Sequence, residues 1–317
     1  MTSSLAVVGC VGLLFGCGTE TPTQTNPATP ETVTPEVTTS QQNRLKITVS
    51  ILPQKYFVEK IGGDRVQVSV LVGPGIEAEN YEPKPQQLRE LSGANAYIGI
   101  GIFFEDVWGD RLRATNQEMA WLDASEGIEK IPLLDHHHHE GDGHDHGTTK
   151  EGELLDPHTW LSPQRVKQQA QNIYQLLVQL DPDGETVYAE NLEKFLTEID
   201  QLDQTIQERL APLKNRTFLV LHPAWGYFAA DYDLEQVSIE VEGQEPSAAE
   251  LADLVKIAQE KQIRTIFVQP QFSGQAAEAI AQEINATIVL LDDLAPNWSE
   301  NMLAMTDALI KASNPTE

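Results

Sequence analysis

Chemistry in this chain rests on histidines and carboxylates. There are eight histidines and two cysteines. Six of the histidines, His136, His137, His138, His139, His144 and His146, lie in the tract "DHHHHEGDGHDHG". The remaining two sit in different settings. His158 lies in "LLDPHTWLSP", just ahead of a helical stretch, and His222 lies in "FLVLHPAWGYFAADYDL", at the end of an apolar strand-like run. Carboxylates fall at comparable places. "LVGPGIEAENYEPKP" carries Glu77, Glu79 and Glu82, and "IVLLDDLAP" carries Asp292 and Asp293. In open α/β sheets ligands bind beyond the carboxyl ends of strands. Loops there can offer imidazole and carboxylate together, a nitrogen and oxygen set that suits a first-row divalent metal.

These loops need a scaffold, and the periodicity supplies one. Strand-like runs at 45–52, 66–72 and 96–102 alternate with helical stretches at 54–62, 85–92 and 104–117. A second series has strands at 217–222, 236–241, 263–268 and 286–291 and helices at 247–260, 274–284 and 299–312. Such alternation predicts βαβ units and mostly parallel sheets. Ser162 and Pro163 suit the N-cap and first turn of a helix over 162–180. Leu192, Phe195, Leu196, Ile199, Leu202, Ile206 and Leu210 then recur at steps of three and four. They predict one amphipathic helix ending at Pro212, about 42 Å long for about 28 residues. The expectation is an α/β protein of two lobes joined by a long rigid helix, with the metal site in the cleft. Its boundaries are 44–183 for the first lobe, 184–213 for the linking helix and 214–317 for the second. The aperiodic Gly/Asp/Glu-rich stretch 135–153, which holds the His tract, is a loop.

The N-terminal part reads differently. Residues 5–16, "LAVVGCVGLLFG", are apolar but too short to span a bilayer as a helix. They have the length of a signal-peptide core. "LFGC" resembles a lipobox, which makes Cys17 the lipidated residue and 1–17 a lipoprotein signal peptide. Residues 18–43 are rich in Thr, Pro and Glu and form no core, so they read as a disordered tether. Export and a membrane tether follow. The formal net charge of −27 argues against nucleic acid, which demands clustered Lys and Arg. Neither a HExxH helix, a GxSxG elbow nor a phosphate-binding GxxxxGK[ST] loop is present, so an enzyme is not expected.

The pieces "YEPKP", "DPHTWLSP", "NLEKF", "HPAWGYFAADYDL" and "LLDDLAP", spread over 45–313, resemble the metal-binding lipoproteins of bacterial ABC importers for zinc and manganese. The resemblance implies two α/β lobes bridged by a rigid helix, with one metal ion between them. By motif it assigns the ligands to Glu79, His158, His222 and Asp292. One position departs: the family usually carries His where this chain has Glu79, and Glu77 is the substitute if the loop is shifted. Glu79 tilts the set toward manganese. His222, where manganese members tend to carry Glu, points to the zinc branch. The implied function is delivery of Zn2+, alternatively Mn2+, to a cognate ABC permease and its ATPase by an exported, lipid-anchored monomer. The resemblance also gives the His tract the role of an accessory zinc collector. The reading from another class is a surface lipoprotein that buffers zinc or adheres.

Overall fold

A computed structural model of the chain describes residues 44–133, 154–240, 244 and 246–313. Cys17, the tether 18–43 and the tract His136–His146 lie outside these residues. The first sheet has strand order β2-β1-β3-β4, formed by Leu45–Val49 (β1), Val66–Val70 (β2), Ala96–Gly99 (β3) and Ala120–Asp123 (β4). Every pairing in it is parallel. Thr217–Val220 (β5), Glu235–Ser238 (β6), Thr265–Val268 (β7) and Thr287–Leu290 (β8) repeat the arrangement as β6-β5-β7-β8, again parallel. The predicted strands are all present. β4 was not predicted, because "AWLD" is four residues long and half-buried at its first three positions, leaving too little apolar signal.

Parallel strands need crossovers, and helices provide them. In the first half these are Leu52–Gly62 (α1), Pro85–Leu91 (α2) and Phe103–Thr115 (α3). Pro163–Leu180 (α4) follows, and the Ser162 hydroxyl accepts the Arg165 N–H at 3.2 Å, as the N-cap reading requires. Glu185–Leu210 (α5) is the long helix. Its 26 residues extend about 39 Å at 1.5 Å per residue. It buries Tyr188, Phe195, Ile199, Leu202, Ile206 and Leu210, while Leu192 and Leu196 sit at the margin of that stripe, partly buried against the core. The second half adds Gly226–Asp231 (α6), Ala248–Glu260 (α7), Gln275–Ile284 (α8) and Trp298–Ser313 (α9).

α5 is gripped by helices from both halves. Lys60 of α1 pairs with Glu198 at 2.5 Å, Lys167 of α4 with Asp200, and Arg209 with Asp307 of α9. Beneath these exposed pairs, the Phe57 ring of α1 lies 5.9 Å from Phe195 of α5 and 5.2 Å, edge on, from Trp298 of α9. Buried aromatic area carries far more energy than exposed ion pairs, so this hub does most of the fastening. One apolar core runs from β1 and β3 through α5 to Phe218, Phe267 and Leu291, and Gln41–Glu317 is one compact unit.

Candidate metal centre

His222 follows β5 directly and is 2 % exposed. Gln269, just past β7, clamps it: the His222 N–H donates to Gln269 Oε1 at 3.3 Å, and Gln269 Nε2 donates to the His222 carbonyl at 2.9 Å. Phe272 stacks flat on the imidazole at 4.7 Å. His222 Nδ1 lies 2.8 Å from Glu240 Oε2.

His158 is fixed by its own sequence neighbours. Asp156 Oδ1 accepts its backbone N–H and meets its Nδ1, both at 2.8 Å. A short turn, Thr159–Leu161, then leads into α4. Tyr227 of α6 donates its hydroxyl to the Asp156 carbonyl at 2.7 Å and accepts the Ile131 N–H at 3.2 Å. Gly226 packs so closely that a Cβ there would stand 2.5 Å from Asp156 Oδ2.

Glu79 comes from the loop after β2. Tyr81 anchors that loop, stacking edge-on with Phe104 at 5.5 Å and donating to Gln87 Oε1 at 2.5 Å.

The three side chains converge. Glu79, His158 and His222 each offer a ligand atom within 4.8 Å of the others, the single such cluster among the described residues. The two Nε2 atoms are 3.3 Å apart, and Glu79 Oε1 is 3.2 Å from His222 Nε2. Two ligands about 2.0–2.1 Å from one zinc at the tetrahedral angle stand about 3.3–3.4 Å apart. With each Nδ1 proton directed at a carboxylate, the Nε2 lone pairs face one another. Two lone pairs cannot bond to each other, but both can bind a cation. Carboxylates behind ligating imidazoles set the tautomer and raise basicity.

The electrostatics agree. Burial lowers the His222 pKa, but hydrogen bonds to Glu240 and Glu79 and the charges of Glu79 and Asp293 outweigh it and hold the group up to about 10. Burial raises the Glu79 carboxyl, yet His222 and His158 hold it below its ordinary value. The site therefore favours positive charge even without an ion.

The other expected residues divide. Glu77 lines the same cavity, but its Oε1 accepts from Asn80 Nδ2 at 2.7 Å, and Glu82 is exposed. Asp292 stands outside the trio: its Oδ1 accepts from Gln271 Nε2 at 2.5 Å and from the Leu294 N–H at 3.0 Å. Asp293 lines the cavity with Glu79, His158 and His222. The sequence reading passed over Asp156 and Glu240. Asp156 was findable, two residues before a His in the Asp-Pro-His turn. Glu240 was not, because only the parallel pairing of β5 and β6 brings it beside His222.

A family model described as "ZnuA: Zinc-uptake complex component A periplasmic" matches residues 47–312. The chain belongs to this family. It is 27 % identical over 258 residues to the high-affinity zinc uptake system protein ZnuA of Bacillus subtilis (strain 168), covering 80 % of each chain. A crystal structure of ZnuA superposes with a TM-score of 0.79 at 46 % identity, covering 86 % of this chain and 100 % of the other. A zinc-bound deletion mutant of ZnuA gives 0.78 at 45 % identity, with the same coverage.

Proposed function

We propose that this protein is the extracytoplasmic solute-binding component of an ABC zinc importer, and that Glu79, His158 and His222 hold the ion it carries. The observation that carries the assignment is the 3.3 Å separation of two buried Nε2 atoms, each imidazole backed by a carboxylate at 2.8 Å. Zinc suits this set better than manganese, which favours octahedral oxygen coordination. The zinc-named relatives support the same choice. Cargo binding needs affinity without turnover, and a cleft whose ligands come from both halves of the fold can release the ion when the halves move.

Export and a lipid tether complete the reading. Cys17 is the acylated residue, and the Thr/Pro-rich stretch 18–43 holds the domain off the membrane, where the permease with its ATPase receives the ion. Incorporation of labelled fatty acid, lost in Cys17→Ser, checks the anchor.

The deciding experiment is a competitive zinc titration of the chain with residues 136–147 deleted. One tight zinc per chain is expected, lost in both His158→Ala and His222→Ala. Tight binding that disappears with residues 136–147 and is indifferent to the two substitutions would transfer the function to the His tract. Capture weakens in acid, since protons compete for the same ligand atoms.

A further inference from the structure

Resting on the reading of the cleft as a zinc site, one buried charge there has no partner in the motif assignment. Asp293 is 5 % exposed, and its Oδ1 accepts no hydrogen bond among the described residues. A buried carboxylate oxygen without a donor is strongly unfavourable unless a cation faces it. It lines the same cavity as Glu79, His158 and His222.

The backbone holds it there. Trp160 Nε1 donates to the Asp293 carbonyl at 2.8 Å, and Trp298 Nε1 donates to the Trp160 carbonyl at 2.6 Å. Trp160 is two residues past His158 and lies 5.1 Å from its ring. The same indole thus registers a histidine ligand against the acid from the other half of the chain.

Asp292 is committed elsewhere. Besides the bonds from Gln271 and Leu294 to its Oδ1, its carbonyl accepts Asn301 Nδ2 at 2.6 Å. It straps the end of β8 to the loop after β7 and to α9. Turning its carboxylate toward the ion would strip the Gln271 amide and the Leu294 N–H of their acceptor, and would leave Asp293 buried and uncompensated.

We propose that Asp293, not Asp292, is the carboxylate that completes the coordination of the bound ion. Two neutral imidazoles with Glu79 and Asp293 then set two negative charges against a dication. A neutral ensemble of this kind is stable in a water-poor cleft.

The test uses Zn2+ and Co2+ as probes on Asp293→Asn and Asp292→Asn, with His158→Ala as control. Zinc affinity is read by competition with a chromophoric chelator, and coordination by the Co2+ visible absorption. Asp293→Asn is expected to weaken zinc roughly 100-fold and to change the Co2+ spectrum. Asp292→Asn is expected to lower thermal stability while leaving the Co2+ spectrum as it was. A changed spectrum in Asp292→Asn with an unchanged one in Asp293→Asn overturns the assignment, as do two unchanged spectra. If His158→Ala binds both ions like the parent, the cleft reading itself fails, separately from this assignment. Asp293→Ala is the second variant should Asp293→Asn not fold. In addition, the metal-free Asp293→Asn protein is expected to melt higher than the parent, since it loses a buried charge that nothing pairs.

Discussion

At the scale of single residues, the metal centre depends on groups that never touch the ion. Asp156 holds both the backbone and the ring of His158, and it does so with Gly226 pressed against its other oxygen. Gly226→Ala is therefore expected to displace Asp156 and turn the His158 imidazole. Zinc affinity should fall about 10-fold to 100-fold, the usual cost of disturbing such a partner, with little loss of helix content by circular dichroism. An affinity equal to the parent's would mean the neighbouring loop yields instead. Glu240 makes the complementary case for His222. Glu240→Gln removes the charge behind the ring and should weaken zinc by a similar factor.

A second residue-scale feature lies at the end of β1 and β3, away from the ion. Glu105 is buried and accepts hydrogen bonds from the Ser50 hydroxyl and, at 2.9 Å, from the Gly101 N–H. Burial pushes its pKa up to about 7, beyond what the bonds from Ser50, Gly101 and Ile100 pull back. The sign follows. An acid held above its unfolded value binds its proton more tightly in the folded state. Between about pH 4.5 and pH 7 the unfolded chain sheds that proton while the folded one keeps it, so stability falls as pH rises and levels off above 7. The contribution is about 3 kcal/mol in all. Chemical denaturation of the metal-free protein across this range should show the slope, and Glu105→Gln should flatten it. An unaltered slope in the variant would assign the pH dependence to other groups.

At the scale of elements, the decisive contacts are those that hold α5 to both halves. The exposed pairs Lys60–Glu198 and Arg209–Asp307 contribute little individually. Phe195 is 1 % exposed and sits between Phe57 and Trp298. Phe195→Ala opens a cavity where three helices meet and should cost about 3–5 kcal/mol, read as a lower denaturation midpoint. Replacing Lys60 with Ala should shift the midpoint by less than about 1 kcal/mol. Equal effects would mean that the helix is fastened at its surface.

At the scale of the whole molecule, the two sheets share one apolar core, and Gln41–Glu317 is a single compact unit. Thermal unfolding of the metal-free protein is accordingly expected to follow one cooperative transition by circular dichroism and by tryptophan fluorescence. Separate midpoints for the two probes would show that the halves unfold independently. Zinc should raise this single midpoint, because it binds the folded chain through residues of both halves.

The sequence alone determined a good deal. Alternating strand and helix periods specify two parallel α/β halves. The three- and four-residue spacing from Leu192 to Leu210 specifies the long helix. Local chemistry, such as Ser162 before Pro163 or a histidine closing an apolar strand, locates His158 and His222. These features depend on neighbours within a turn or a strand, which a sequence displays. The tertiary structure alone decided what depends on residues far apart. Of three glutamates in one loop, it was Glu79 that met His222, 143 positions further along the chain. Glu240 became the partner of His222 only through strand pairing, and Asp292 was separated from Asp293 by bonds to Gln271 and Asn301. Adjacent carboxylates are equivalent on paper. Which of them faces an ion depends on the donors that the rest of the fold brings to each.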